Sequence, residues 1–323
     1  MGRDLWCRNP SRACESLARS RVEIVPASDP IVFLVDVAPA GATEPAAGWE
    51  STVRRVRADE PIVLGTDLSA TRGDGVFETL GVLEGCPQAV DAHFWRLANS
   101  AELLELPAPN LEQWRVAMRV AGDALPTDRQ GGIKLVLSRG VEGAGRSTGW
   151  LIATVADDDF ANRTEGWKVV TLDRGYRHDL SEHAPWLLPG AKTLSYAVNM
   201  ATLREAARRG ADNAIYLSSD GFVMEAPQSS VLLRRGDTLI TPKTDIGILP
   251  GTTQLSVFAI AAQWGLATED RLVEASELLD SDGLWLLSSV KLATPITQVD
   301  GKSITVDREL SDKLNAALLA RRE

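Results

Sequence analysis

The sequence predicts an α+β fold divided between two domains, and three observations lead there. Short apolar runs of strand length alternate with amphipathic stretches of helical spacing along most of the chain. A polar stretch, DDDFANRTEG, interrupts that alternation near the middle. The composition, 44% hydrophobic and 24% charged over 323 residues, is ordinary for a globular chain with ample core to bury. The expected boundaries are an N-terminal extension over 1–30, a small α/β domain over 31–156, a linker over 157–166 and a larger domain with mixed sheets over 167–323.

Each element has its own signal. IVFLVD (31–36) reads as a buried strand, followed by a loop rich in proline and small residues. In HFWRLANSAELLEL, Phe94, Leu97, Ala101 and Leu104 fall at helical spacing and Pro107 stops the helix. LEQWRVAMRVAGDAL is a second amphipathic helix. GIKLVLSRG (132–140) and GWLIATVAD (149–157) are strands joined by a glycine-rich connection. WKVVTLD opens the second half, and the segment from Lys192 runs into a helix stopped by the basic REAARRG and Gly210. NAIYLSS and GFVMEA are strands around the turn SSDG, and SVLLRRGDTLITP is strand, turn and strand. GTTQLSVFAIAAQWG is a helix with Leu255, Phe258 and Ala262 on one face; GLWLLSSV is a buried strand, and residues 307–322 form a terminal helix.

Bulk properties narrow the function. A net charge of −10 argues against nucleic acid or an anionic membrane as the main partner, so an anionic ligand needs a local site. The three cysteines and three histidines form neither a disulfide framework nor a metal-ligand spacing, which points to a reduced, cytoplasmic protein without a metal. No apolar run reaches the roughly 18 residues of a membrane span. The first 30 residues carry several arginines but no continuous apolar stretch, and read as an extension or a short packing helix rather than a secretory signal.

Four places carry chemistry. Lys192, in PGAKTLSYAVNM, stands at an expected helix start, where burial and the helix N-terminus would both depress its pKa and make it a nucleophilic amine able to form a Schiff base; a solvated first-turn lysine is the plainer reading. Glu225, at the end of GFVMEA, shares the side of Val223 and is either a solvent-facing strand end or a carboxylate with a cationic partner. In GILPGTTQ, Gly251, Thr252 and Thr253 open a helix, giving either an ordinary N-cap or an anion site of N–H groups and hydroxyls. Arg96, in HFWRL, is a second contact for such an anion or a surface ion pair.

Taken in this order and spacing, these residues resemble the fold-type IV pyridoxal-phosphate enzymes, the class IV aminotransferase family. RGDGVFETL (72–80) resembles its N-terminal signature, HFWRLANSAELL its phosphate-arginine helix and KTLSYAVNM its Schiff-base lysine segment. The interval of 33 residues between Lys192 and Glu225 fits as well, GILPGTT is similar to its phosphate loop, and LLSSVKLATPI to a later phosphate-binding segment. The resemblance runs from about IVFLVD to TPITQVDGKSI. It implies a two-domain fold, pyridoxal 5'-phosphate as cofactor, a small-molecule substrate and a homodimer. It further implies Lys192 as the catalytic amine, Glu225 at the pyridine nitrogen, Tyr196 beside the phenolic oxygen, and Arg96, Gly251, Thr252, Thr253 and Ser289 at the phosphate.

The family includes branched-chain and D-amino-acid aminotransferases and 4-amino-4-deoxychorismate lyase, which makes 4-aminobenzoate and pyruvate for folate synthesis. GIKLVLSRGVEGAGRST resembles the lyase more than the aminotransferases, with Arg139 at the lyase's carboxylate-binding arginine. Its second loop arginine is out of register, since Ala144 stands there and Arg146 follows two places later. Ser195 stands where the lyase tends to have asparagine, and Gln254 where many aminotransferases have arginine. The resemblance therefore implies the lyase, with aminotransferase activity as the alternative and dual activity compatible with both. A cofactor-binding or purely structural homologue without turnover is the remaining reading.

Overall fold

In the computed structural model, residues 29–156 and 160–321 are described. The expected extension (1–30) lies outside them except for its last two residues, as does the start of the expected linker at 157–159. The first half contains β1 (Ile31–Val35), β2 (Val53–Val56), α1 (Leu68–Arg72), β3 (Gly75–Leu83), β4 (Cys86–Pro87), α2 (Val90–Leu103), α3 (Leu111–Asp123), β5 (Gly131–Ser138) and β6 (Thr148–Val155). Its sheet has the order β2-β1-β6-β5-β3-β4 and is antiparallel throughout. One face, bearing Val76, Leu80, Ile133, Leu135 and Leu151, packs on α2 and α3 through Phe94, Leu97, Ala101, Trp114 and Met118. The helical spacing read in the sequence is thus the buried stripe of α2. Asn110 caps α3 by accepting from the Gln113 N–H at 3.1 Å, and Asp67 caps α1 by accepting from the Ser69 N–H at 2.8 Å.

The second half contains α4 (Asn162–Glu165), β7 (Trp167–Asp173), α5 (Leu180–His183), α6 (Ala197–Arg208), β8 (Asn213–Leu217), β9 (Ser230–Arg235), β10 (Thr238–Pro242), α7 (Thr252–Gln263), β11 (Ala267–Arg271), β12 (Gly283–Ser288), β13 (Leu292–Val299), β14 (Lys302–Ser303) and α8 (Arg308–Leu319). The sheet order is β11-β10-β9-β12-β13-β7-β8, with β14 paired to β13. It is mixed: β10–β11, β13–β7 and β7–β8 run parallel and the rest antiparallel. One face encloses Ile215, Val223, Val231 and Leu286, while α7 and α8 cover Leu232, Trp285 and Leu287 on the other. The described helices include none long and apolar enough to cross a membrane.

Three expectations are corrected. The helix after Lys192 begins at Ala197, five residues later than expected from the sequence, because residues 192–194 pair with the start of β3 instead. The Phe77 N–H donates to the Lys192 carbonyl at 3.1 Å and the Leu194 N–H to the Gly75 carbonyl at 2.8 Å. GFVMEA makes isolated bridges rather than a ladder strand, because its amides alternate between two neighbours: Val223 donates to Val273 and Met224 to Tyr216. On α7 the buried positions are Val257 and Ala261, whereas Leu255 is 48% exposed and Ala262 faces solvent. The helix docks by its buried Thr252, Thr253 and Gln254, which rotates the core stripe by one residue, about 100°.

Candidate active site

The backbone pairing of Lys192 with β3 lays its side chain beside that strand's aromatic residue. Lys192 Nζ lies 4.4 Å from the centroid of the Phe77 ring, and its backbone N–H donates to Ser100 Oγ at 3.1 Å. Burial depresses the ammonium pKa to about 8, helped by the Arg96 and Lys134 charges and opposed by Glu78 and Glu225. The cause is desolvation in a cationic neighbourhood and not a helix terminus, since α6 begins only at Ala197.

Glu225 follows Val223 onto the inner side, as the alternation required, and its Oε2 accepts from the Leu249 N–H at 3.0 Å. Burial pushes its pKa up to about 7, against that hydrogen bond and the charges of Arg174, Lys192 and Arg96. An amine near 8 and a carboxylic acid near 7 therefore lie within electrostatic reach of one another, each poised to exchange protons around neutrality.

A third group sits where α2, α7 and the end of β12 meet. Arg96 grips the buried Glu78 with both edges of its fork, Nε to Oε1 and Nη2 to Oε2, each at 2.7 Å. Its Nη1 donates to the Pro250 carbonyl at 2.9 Å, at the entry to α7. His93 Nδ1 is 2.7 Å from Glu78 Oε2, while His93 Nε2 lies 3.2 Å from Thr252 Oγ1 and 3.1 Å from Ser289 Oγ. These two hydroxyls are themselves 3.3 Å apart. The N-cap of α7 is Gly251, with no side-chain cap bond, so the threonines do not spend their hydroxyls on capping. A Cβ at Gly251 would fall 2.1 Å from Ser230 Oγ, which is why glycine stands there. Uncapped N–H groups, two hydroxyls and a guanidinium converge here, an arrangement whose chemistry suits an anion.

The remaining sequence-derived residues are placed as follows. Tyr196 is the N-cap position of α6; its ring packs edge-on against Phe77 at 5.3 Å, and its hydroxyl donates to the Pro227 carbonyl at 2.6 Å. Burial raises the Tyr196 pKa to about 12, so the phenol keeps its proton. Thr253 is buried in the first turn of α7. Arg139 is held by Asp74 (Nε to Oδ2 at 2.6 Å) and by the Leu104 and Glu105 carbonyls, in the wall of a cleft of about 670 Å³ shared with Arg72, Trp186, Thr193 and Ser195. Arg146 is not brought to these groups: it pairs with Asp36 on an exposed loop.

Glu78, His93 and Arg174 were not singled out from the sequence. A carboxylate within the apolar GVFETLGVL signals a buried charge that must find a partner, and His93 lies one helical turn before Arg96. Arg174, stacked 4.5 Å over the Tyr216 ring, carries no such signal.

An amine, a carboxyl group that accepts from the Leu249 backbone N–H, and an uncapped helix start with a cation fit a phosphate-bearing aldehyde with a basic ring nitrogen. Pyridoxal phosphate is such a group. Residues 75–299 match the family described as amino-transferase class IV. A bifunctional aminodeoxychorismate lyase / D-amino acid transaminase of Mycobacterium tuberculosis is 42% identical over 254 residues, covering 76% of this chain and 88% of that protein. A fold IV transaminase of Curtobacterium pusillum superposes with a TM-score of 0.85 at 46% identity, covering 91% of this chain and 98% of that one. A hypothetical aminotransferase of Mycobacterium tuberculosis in its PLP-bound form gives 0.81 at 37% identity, over 90% and 99%. Sequence and fold agree, and the chain belongs to the class IV aminotransferase family as a pyridoxal-phosphate-dependent enzyme.

Proposed function

We propose that the chain is a 4-amino-4-deoxychorismate lyase, releasing 4-aminobenzoate and pyruvate for folate synthesis, and that the same site transfers amino groups from D-amino acids. The observation that carries this reading is the similarity to a relative with both activities over three quarters of the chain, 76%. Both reactions need the same parts, and the residues described above are the candidates for them. Arg96, Ser289 and the α7 start with Gly251, Thr252 and Thr253 hold the phosphate; Glu225 keeps a proton at the ring nitrogen; Tyr196 flanks the phenolic oxygen. When bound, pyridoxal phosphate supplies an electron sink for bond cleavage at the substrate. Lys192 Nζ takes up and returns the proton at the substrate carbon, and a pKa near 8 keeps part of it neutral at physiological pH. Arg139 is the candidate for a substrate carboxylate, with Asp74 as its occupant until substrate arrives; Arg146, on its exposed loop, is a lesser candidate.

Amino transfer without lyase activity, from D- or branched-chain amino acids to 2-oxoglutarate, is the second reading, favoured by the 46% identity to a fold IV transaminase and by Ser195. Purified enzyme incubated with aminodeoxychorismate should release 4-aminobenzoate. Brisk amino transfer with no 4-aminobenzoate would overturn the lyase assignment. A cytoplasmic homodimer with domains over 31–156 and 167–323 completes the proposal. The exposed Trp95, Leu103, Trp186 and Leu187 support association, which light scattering would test.

A further inference from the structure

The phosphate-binding reading leaves one buried group without a task. His93 is 1% exposed and touches both hydroxyls of the anion site. Its tautomer follows from its other edge. The fork from Arg96 holds the Glu78 carboxyl well below the ordinary range, so it is a carboxylate and can only accept. Nδ1, 2.7 Å from Glu78 Oε2, must then carry a hydrogen and donate. In the neutral ring Nε2 is bare, and its one lone pair accepts a hydrogen bond from the hydroxyl of Thr252 or Ser289. With the hydroxyls 3.3 Å apart, the second can donate to the first. Thr252, Ser289 and His93 thus close on one another, and neither hydroxyl proton points at an anion.

We propose that His93 is the positioning residue of the phosphate site and that it takes up a proton from solvent when the phosphate binds. An Nε2–H donates into one hydroxyl oxygen, and both hydroxyl protons then turn toward the anion. This rests on the reading that these residues hold phosphate. The groups facing His93 are Glu78 from β3, Arg96 from α2, Thr252 from α7, Ser289 after β12 and, at longer range, Lys192. Burial, Arg96 and Lys192 hold the ring below its ordinary pKa against the pull of Glu78, so it is neutral in the free site. An added dianion reverses that balance, and by linkage each equilibrium drives the other.

The test titrates cofactor-free protein with pyridoxamine 5'-phosphate, which cannot link covalently to Lys192. In the unaltered protein the affinity should fall with rising pH more steeply than in His93→Gln, by up to about tenfold per pH unit. The glutamine amide donates at every pH, and the ligand's own titration and those of Lys192 and Glu225 are common to both proteins. A second readout needs no variant. With only three histidines in the chain, the 15N signal of His93 Nε2 is readily assigned, and at pH 7.5 it should change from bare to protonated on saturation. Parallel pH profiles, or a nitrogen that stays bare in the complex, would overturn the proposal while leaving the phosphate site intact. Failure of the ligand to bind at all would overturn both.

Discussion

Arg96 and Pro250 are 154 residues apart in sequence, yet the guanidinium Nη1 donates to the proline carbonyl at 2.9 Å. That bond ties α2, which packs on the first sheet, to the entry of α7 on the second. The same guanidinium neutralises the fully buried Glu78, so one side chain serves both the junction and a buried charge.

Arg96→Ala strips the buried Glu78 of its guanidinium and leaves it the His93 contact at 2.7 Å. Unfolding free energy should fall by about 3–5 kcal/mol. Adding Glu78→Gln should restore part of that loss in chemical denaturation. It should not restore cofactor affinity, measured by absorbance titration, because the phosphate contact proposed for Arg96 is still missing.

Lys192→Ala should lower turnover by about 10²–10⁴ even with cofactor bound, the usual worth of a positioned acid–base group. Borohydride reduction followed by peptide mapping should find a pyridoxyl group on residue 192 of the unaltered enzyme and none in the variant.

Glu225 gives cofactor-free protein a defined pH response. Its folded pKa, about 7, lies above the ordinary 4.5. The folded state therefore holds its proton longer than the unfolded chain does. The resulting stability is full below pH 4.5 and is lost as pH rises through 7. Lys192 acts in the opposite sense, its lowered pKa of about 8 restoring stability as pH rises from 8 toward 10.5. Cofactor-free Glu225→Gln should accordingly melt higher than the unaltered protein at pH 8 and no higher at pH 4. Calorimetry across that range would check it.

Gly251→Ala has no backbone penalty, since φ is −77°, but its Cβ would meet Ser230 Oγ at 2.1 Å and Ser230 Cβ at 3.1 Å. Overpacking of this kind costs roughly 1–3 kcal/mol. The variant should bind cofactor more weakly, and Ser230→Ala in the same chain should recover part of the affinity.

Arg139→Gln should raise KM for carboxylate-bearing substrates about tenfold, as expected for one charged hydrogen bond, with a smaller effect on kcat. A lower melting temperature with KM unchanged would show a latch on Asp74 and no substrate contact.

Much of this was legible in the sequence. The stripe Phe94, Leu97, Ala101, Leu104 specified the buried face of α2, because helical periodicity and burial are local consequences of one pattern. Gly251 with Thr252 and Thr253 likewise marked the start of α7. Other features depended on contacts that no local pattern encodes. α6 starts at Ala197 because residues 192–194 find backbone partners on β3. The buried stripe of α7 is displaced because its first turn docks into the site. Lys192 is acidified by burial with help from the Arg96 charge, and Glu225 is kept protonated by burial; both effects exist only once remote segments enclose them. The sequence by itself determined which elements form and which residue types stand ready for chemistry, since propensity and periodicity act over a few residues. Only the tertiary structure decided which charges meet and which nitrogen of His93 faces the hydroxyls, because desolvation and hydrogen bonding depend on distances across the chain.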